Sequence, residues 1–318
     1  GTFDFLYTKS INQFYLTDAN LQGIIGNLAG EAGRPLYGTF AAGRYTPSRI
    51  SAKFGPAVEH MNKSSDKSVS FTWELKKQIG DRFTFDAAYT YSKTKDLFSL
   101  TSSIATSNLG FEPLDGTLAN RNLTTSAFDF PHVIKVSGTV RAWWGVSVSL
   151  FYIGQSGSPF TYVISGDANG DGQGNDIVYV PKDSADISLQ TPSQWGTLNK
   201  FISSQSCLNN QRGRIKERNT CRNPFEHFLN ARLAKTFNTW SGQSLDLTLD
   251  IINLPNLINK NWGLIRQTSG FDDQTMLRLA GFDGVANRNV YSLSLPPTNK
   301  VQINPSRWQM QAGLRYTF

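Results

Sequence analysis

Arg307-Trp308-Gln309-Met310-Gln311-Ala312-Gly313-Leu314-Arg315-Tyr316-Thr317-Phe318 closes the chain, and its reading decides the fold. Trp308, Met310, Ala312, Leu314, Tyr316 and Phe318 fall on one side of an extended backbone. Arg307, Gln309, Gln311, Gly313, Arg315 and Thr317 fall on the other. Successive strand side chains point to opposite faces, so the stretch is a β-strand with one apolar and one polar surface. Two settings accept such a strand: the edge of a soluble sandwich, and a boundary between an apolar medium and water.

The same alternation recurs upstream. Val69, Phe71, Trp73, Leu75 and Ile79 share a face opposite Ser70, Thr72, Glu74, Lys76 and Gln78. After Gly80-Asp81, Phe83, Phe85, Ala87, Tyr89 and Tyr91 share a face opposite Arg82, Thr84, Asp86, Thr90 and Ser92. Glycine and aspartate suit a hairpin turn. A second hairpin carries Ile134, Val136, Gly138 and Val140, turns at Trp143-Trp144-Gly145, and returns through Val146, Val148, Leu150 and Tyr152. A third runs over residues 225–237, turns through 238–242, and returns with Leu245, Leu247, Leu249 and Ile251 on one face. Residues 2–21 read as a further strand, broken near Lys9-Ser10. Residues 54–62 read as a weak strand, and residues 22–50 as irregular with a short strand at 36–40.

A long polar loop is expected at 94–129, with further long loops at 156–224 and at 255–305, the last with room for short strands, alternating with short turns. Soluble sandwiches have short loops at both ends, whereas outer-membrane barrels have short turns at one end and long loops at the other. Trp143, Trp144 and Trp240 sit at short turns, where an interfacial aromatic girdle would lie. Asp86, Lys135, Arg141, Arg232, Asp246, Asp250 and Arg315 lie mid-strand on the polar face, which a wet lumen accepts and lipid does not. Lys77 and Lys235 take the apolar parity near turns, within reach of headgroups.

Composition fits this reading. Among 318 residues, aromatics reach 12%, and no run of eighteen apolar residues could form a transmembrane helix. The mean hydropathy of −0.33 is compatible with barrel strands, which dilute lipid-facing with lumen-facing residues. Net charge is +7, but Lys and Arg are scattered. The densest basic run, Arg212 to Arg218, lacks a nucleic-acid motif, so no nucleic-acid partner is expected. Cys207 and Cys221 share one polar stretch, which suggests a local disulfide formed outside the cytoplasm; two unpaired thiols are the alternative. His60, His132 and His227 lack metal-ligand spacing, and Gly154-Gln155-Ser156-Gly157 is not a nucleophile elbow. No enzyme activity is expected.

Gly166-Asp167-Ala168-Asn169-Gly170-Asp171-Gly172-Gln173-Gly174-Asn175-Asp176 is the most distinctive loop. Asp167, Asn169, Asp171 and Gly172 match positions 1, 3, 5 and 6 of an EF-hand loop. Position 12 is Val178 rather than glutamate, so Asn175 and Asp176 would have to complete a calcium shell. The alternative is an Asx- and Gly-rich loop held by its own side-chain-to-backbone bonds.

Several stretches together resemble TonB-dependent outer-membrane receptors, particularly the Oar-like group with a carboxypeptidase-regulatory-like N-terminal domain. They are Phe128-Asp129-Phe130-Pro131-His132, residues 154–160, the 167–176 loop continuing into Ile177-Val178-Tyr179-Val180-Pro181, Arg222-Asn223-Pro224-Phe225 and residues 250–259. The terminal strand, ending in Tyr316 and Phe318, is similar to the insertion signal read by barrel-assembly machinery. The match covers about residues 56–318, and 1–55 more weakly. The resemblance implies an all-β, transmembrane antiparallel barrel of 22 strands with long extracellular loops, an internal plug, and TonB-coupled uptake across the bacterial outer membrane. Residues 1–318 correspond to the C-terminal barrel portion. Plug, TonB box and signal peptide have no counterpart here, and the chain opens directly in strand-like Gly1-Thr2-Phe3-Asp4-Phe5. The expected partners are outer-membrane lipid, the N-terminal barrel and plug portion, and the TonB complex through that plug. The sequence also admits a small self-contained barrel acting as a passive pore or structural surface protein, or a soluble extracellular β-sandwich adhesin or calcium-bound hydrolase.

Overall fold

The computed structural model describes residues 1–238 and 242–318, with the backbone alone for Trp143. Its largest unit is a sheet of eight long strands, β1 (Thr2–Lys9), β2 (Lys67–Ile79), β3 (Phe83–Asp96), β4 (His132–Arg141), β5 (Val146–Gln155), β6 (Glu226–Asn238), β7 (Ser244–Ile252) and β8 (Gln309–Thr317). They pair antiparallel in chain order; among the described residues only a two-residue strand, Thr124–Thr125, adds to this sheet beside β3. Among the described residues β1 and β8 do not pair with each other, so the sheet has two free edges.

Register carries the sequence periodicity across the sheet. Phe5 faces Phe71, which faces Tyr91. Val136 faces Ala87 and Tyr152, Leu233 faces Val148 and Leu249, and Leu247 faces Leu314. One face is therefore apolar from edge to edge, and its large side chains are exposed: Phe3, Phe5, Phe71, Trp73, Leu150, Leu247 and Leu314 all stand in the open. A soluble protein rarely exposes so large a contiguous apolar surface, which suits a hydrocarbon medium. No helix among the described residues is long and apolar enough to cross a membrane.

The opposite face holds all seven mid-strand charges expected there. Asp86 faces Lys76, Arg232 faces Asp250, and Asp246 faces Arg315. Arg232 and Asp250 approach to 3.6 Å, and Lys76 bonds Glu74 at 2.7 Å. Hydroxyl pairs Thr72–Thr90 and Thr139–Ser149 continue this wet ladder.

Short turns at 80–82 and 142–145 join β2 to β3 and β4 to β5 at one end, where β6 and β7 also pair. Gly80 and Gly145 have positive φ, and a Cβ on Gly145 would lie 2.9 Å from the Thr236 carbonyl, so glycine is required there. Trp144 is exposed in its turn. Trp240 and the Trp143 side chain lie outside the described residues. At the other end, residues 10–66, 97–131, 156–225 and 253–308 connect the strands.

These connections are not open loops, which corrects the expectation for 156–224, while 255–305 carries strands as its reading allowed. They fold together into a second layer with its own core. A five-stranded sheet runs Ser188–Leu189, Arg288–Leu293, Asp273–Asp283, Pro159–Ser165, Cys221–Arg222, with parallel pairing between Pro159–Ser165 and Asp273–Asp283. Tyr162, Ile164, Val178, Val180, Met276 and Leu277 are buried with Leu198 and Ile202 of the helix Trp195–Ser204. Residues 2–21 form two strands, with Gln13–Asp18 turning to pair with Val58–Lys63.

Candidate functional site

The layer borne on the connections is the candidate site, since it gathers buried charged and polar groups from four separate connections. Its architecture rests on buried cations that tie separate connections together. Arg218, only 1% exposed, reaches from 156–225 into 97–131. It pairs with Asp96 and Glu112, donates to Ser99 Oγ at 2.9 Å and to the Asp96 carbonyl at 2.8 Å. Its own N–H donates to Asp115 at 2.8 Å. Burial works against the Arg218 charge, but Glu112 and Asp96 outweigh it and raise its pKa. Burial pushes Glu112 well above the usual carboxylate range, and nearby Asp272 adds to this. Arg121 stacks 4.2 Å over Phe98, and burial lowers it to about 10.

Arg34 performs the same task between 10–66 and 156–225. It pairs with Glu31 at 2.7 Å and Asp176 at 3.2 Å, and donates to the Ile177 carbonyl at 2.7 Å. Tyr291 donates to Glu31 at 2.5 Å and Tyr45 to Asn289 at 2.8 Å, bringing in 253–308. Gly38 and Gly170 cross backbone to backbone; a Cβ on Gly170 would meet the Gly38 nitrogen at 2.7 Å. Cys207 and Cys221 form a disulfide, with Cα atoms 5.2 Å apart, joining a short helix to an edge strand of the layer.

The 167–176 loop sits inside this layer. Asp167 Oδ1 accepts from Gly170 N–H at 2.6 Å and Asp171 N–H at 3.2 Å, and Oδ2 from Gly172 N–H at 2.8 Å. Asn169 Oδ1 accepts from Asp171 N–H, and Asp171 Oδ1 from Gln173 N–H, both at 2.8 Å. Asp176 takes Ala168 N–H at 2.7 Å and Arg34. Asn175 turns away, donating to the Leu109 and Glu112 carbonyls. Of the five residues expected to hold calcium, Asp167, Asn169, Asp171 and Asp176 accept backbone amides of the loop, and Asn175 bonds to the neighbouring connection. Among the described residues, no group of three or more His, Cys, Asp and Glu side chains is placed to hold a metal ion. Backbone amides and Arg34 hold the loop instead. Burial pushes Asp171 well above the carboxylate range and raises Asp176 to about 7.

The basic run 212–218 is occupied within the layer. Arg212 binds Asn199, Ser203 and the Pro181 carbonyl. Lys216 is buried against Thr220 and the Glu217 carbonyl, and burial lowers it to about 7. The run advertised its density in the sequence, but not that Arg218 and Lys216 are interior. His132 and His227 occupy the apolar face at the layer end of the sheet, bonded to Tyr89 and Tyr152 at 2.8 Å each. His60 lies on Val58–Lys63. Tyr316 and Phe318 are exposed at the turn end, on the apolar face.

A sheet apolar on one face and charged on the other, with short turns at one end and a folded layer at the other, defines a membrane-spanning β-barrel protein. Comparison with protein families makes this more specific. The outer membrane beta barrel domain matches residues 6–263, and the chain belongs to that family. The match starts within β1 and ends in the connection after β7. Membership points to the bacterial outer membrane. Neither curated proteins nor solved structures gave a match.

Proposed function

We propose that the chain is the C-terminal barrel portion of a TonB-dependent outer-membrane receptor, with the folded layer extracellular and binding the transported ligand. The observation that carries this reading is the pair of free sheet edges. Hydrocarbon does not solvate backbone N–H and C=O groups, so β1 and β8 require further strands beside them. Eight strands that leave both edges open suit a larger barrel, such as the 22-stranded transporters with a plugged lumen. The charged ladder through Arg232, Asp250, Asp246 and Arg315 would then face that plug, whose movement TonB drives. Phe111 and Phe271 are exposed on the layer and would supply apolar contact to a ligand.

The test is the mass and N-terminal sequence of the native polypeptide extracted from membranes. A mass well above the 35.3 kDa of residues 1–318, with plug-like sequence at its start, is the expected result. A native mass at that value would sink the receptor reading and favour a small barrel acting as a pore or structural surface protein.

A further inference from the structure

Lys9, Lys67 and Lys95 stand in a row across three strands. Lys9 faces Lys67, and Lys67 faces Lys95. Lys93 follows on β3, opposite Val69. All four share the parity of the apolar face, at its layer end. Like charges directly opposite one another in a sheet are destabilising. Among the described residues, no hydrogen bond or ion pair engages the side-chain ammonium of any of the four. The apolar parity of all eight strands contains no Asp or Glu. The nearest carboxylates, Asp66 and Asp96, have the other parity and are engaged, by Leu97 N–H and by Arg218.

Their height is fixed by the sequence of β2. Lys67 and Lys77 bracket the apolar stretch of that strand, ten residues apart. At about 3.3 Å per residue and a tilt near 40°, that spacing rises about 25 Å, the height of a barrel's apolar band. Lys67 therefore sits at one headgroup level and Lys77 at the other. Tyr7, Lys67, Ser68, Val69, Lys93 and Lys95 line a groove of about 290 Å³ at this level. Directly below it, Phe5 and Phe71 pack at 4.8 Å between ring centres, with Tyr91 beside them. Cations above a groove, with aromatic rings beneath, match a phosphorylated head on acyl chains.

We propose that this groove binds the phosphates of an anionic glycolipid in the outer leaflet. The inference rests on the extracellular placement of the layer. Lysines without carboxylate partners would then be neutralised by lipid, and the row of like charges would become a binding site.

The test is native mass spectrometry of the full receptor, released from detergent after incubation with bis-phosphorylated lipid A, its dephosphorylated form, or inorganic phosphate. Retention of the bis-phosphorylated lipid alone is expected. Each Lys→Gln substitution at 67, 93 and 95 should weaken retention about five-fold, the effect of one basic residue at an anionic surface. Lys→Arg at the same positions should preserve it, as should K77Q at the opposite headgroup level. Undiminished retention in the triple glutamine variant would overturn the site, and displacement by an equal concentration of inorganic phosphate would overturn the lipid as its ligand. Orientation is checked separately by labelling a V285C variant on intact cells, since Val285 is fully exposed on the layer. Exclusion of the label would refute the extracellular placement and the outer-leaflet ligand with it. Labelling combined with undiminished retention in the triple variant would refute the site alone.

Discussion

Replacing Arg218 with methionine removes the cation that two buried carboxylates share. The R218M side chain fills similar volume, so the change is mainly electrostatic. Breaking a buried ion pair by removing one partner costs about 3–5 kcal/mol, because a charge is left uncompensated. Here the lower end applies near neutral pH. Burial raises Glu112, which lessens its share of the loss when Arg218 leaves, and Asp96 carries most of it. About 3 kcal/mol corresponds to roughly a hundred-fold more frequent local opening. Hydrogen exchange read by mass spectrometry, with the protein in a bilayer nanodisc, resolves this by segment. Residues 97–131 and 214–222 should exchange about a hundred-fold faster, while amides paired between β4 and β5 should be unchanged. Adding D96N should restore most of the protection. Wild-type exchange in R218M would refute the argument. So would acceleration spread evenly over the sheet, or a double variant as open as the single one.

The layer should also respond to pH with two opposite slopes. Asp176 is raised to about 7 from 3.8, so the native state holds more protons than the unfolded chain between those values, and stability should fall as pH rises through that window. Lys216 is lowered to about 7 from 10.5, so stability should rise between 7 and 10.5. D176N should flatten the first slope and K216M the second in thermal melts; a variant that leaves its slope intact would contradict the assignment. Reduction should make the chain heavier by the two hydrogens of the freed thiols, and C207S should destabilise the layer by about 3 kcal/mol; an unchanged mass would exclude the bond. Chelator should leave the melting temperature unchanged, while D171A should lower it with or without chelator, through loss of the bonds to Gln173 and Asn169. A chelator effect present in the native chain and absent in D171A would restore calcium to the loop.

What was legible in the sequence was whatever met two different media. Phe71 and Thr72 belong to lipid and water respectively, so their alternation shows in the text and register later confirms that the faces join. Pro159–Ser165 met only protein. All but its last residue are buried, so it has no alternation to read, and its partner Asp273–Asp283 lies in another connection. The disulfide was legible because both cysteines lie in one connection. Arg34 was not, because Asp176 reaches it from a different one. The lysine row was hidden for a related reason: Lys9, Lys67 and Lys95 are scattered in the chain, and only cross-strand register makes them neighbours. In the 167–176 loop the sequence supplied oxygens at suitable spacing, but not the amides that would claim them.

The parallel seam between Pro159–Ser165 and Asp273–Asp283 sets a timetable. Hairpins of neighbouring strands can form as soon as each turn is made, because their contacts are local. The seam joins the connection after β5 to the connection after β7, so it needs both segments present. Contacts between such distant segments are slow to find one another. The barrel wall can therefore be complete while the layer above it is still searching. During that interval the polar face is open at that end, and the closing of the seam is what separates a newly inserted barrel from a mature one.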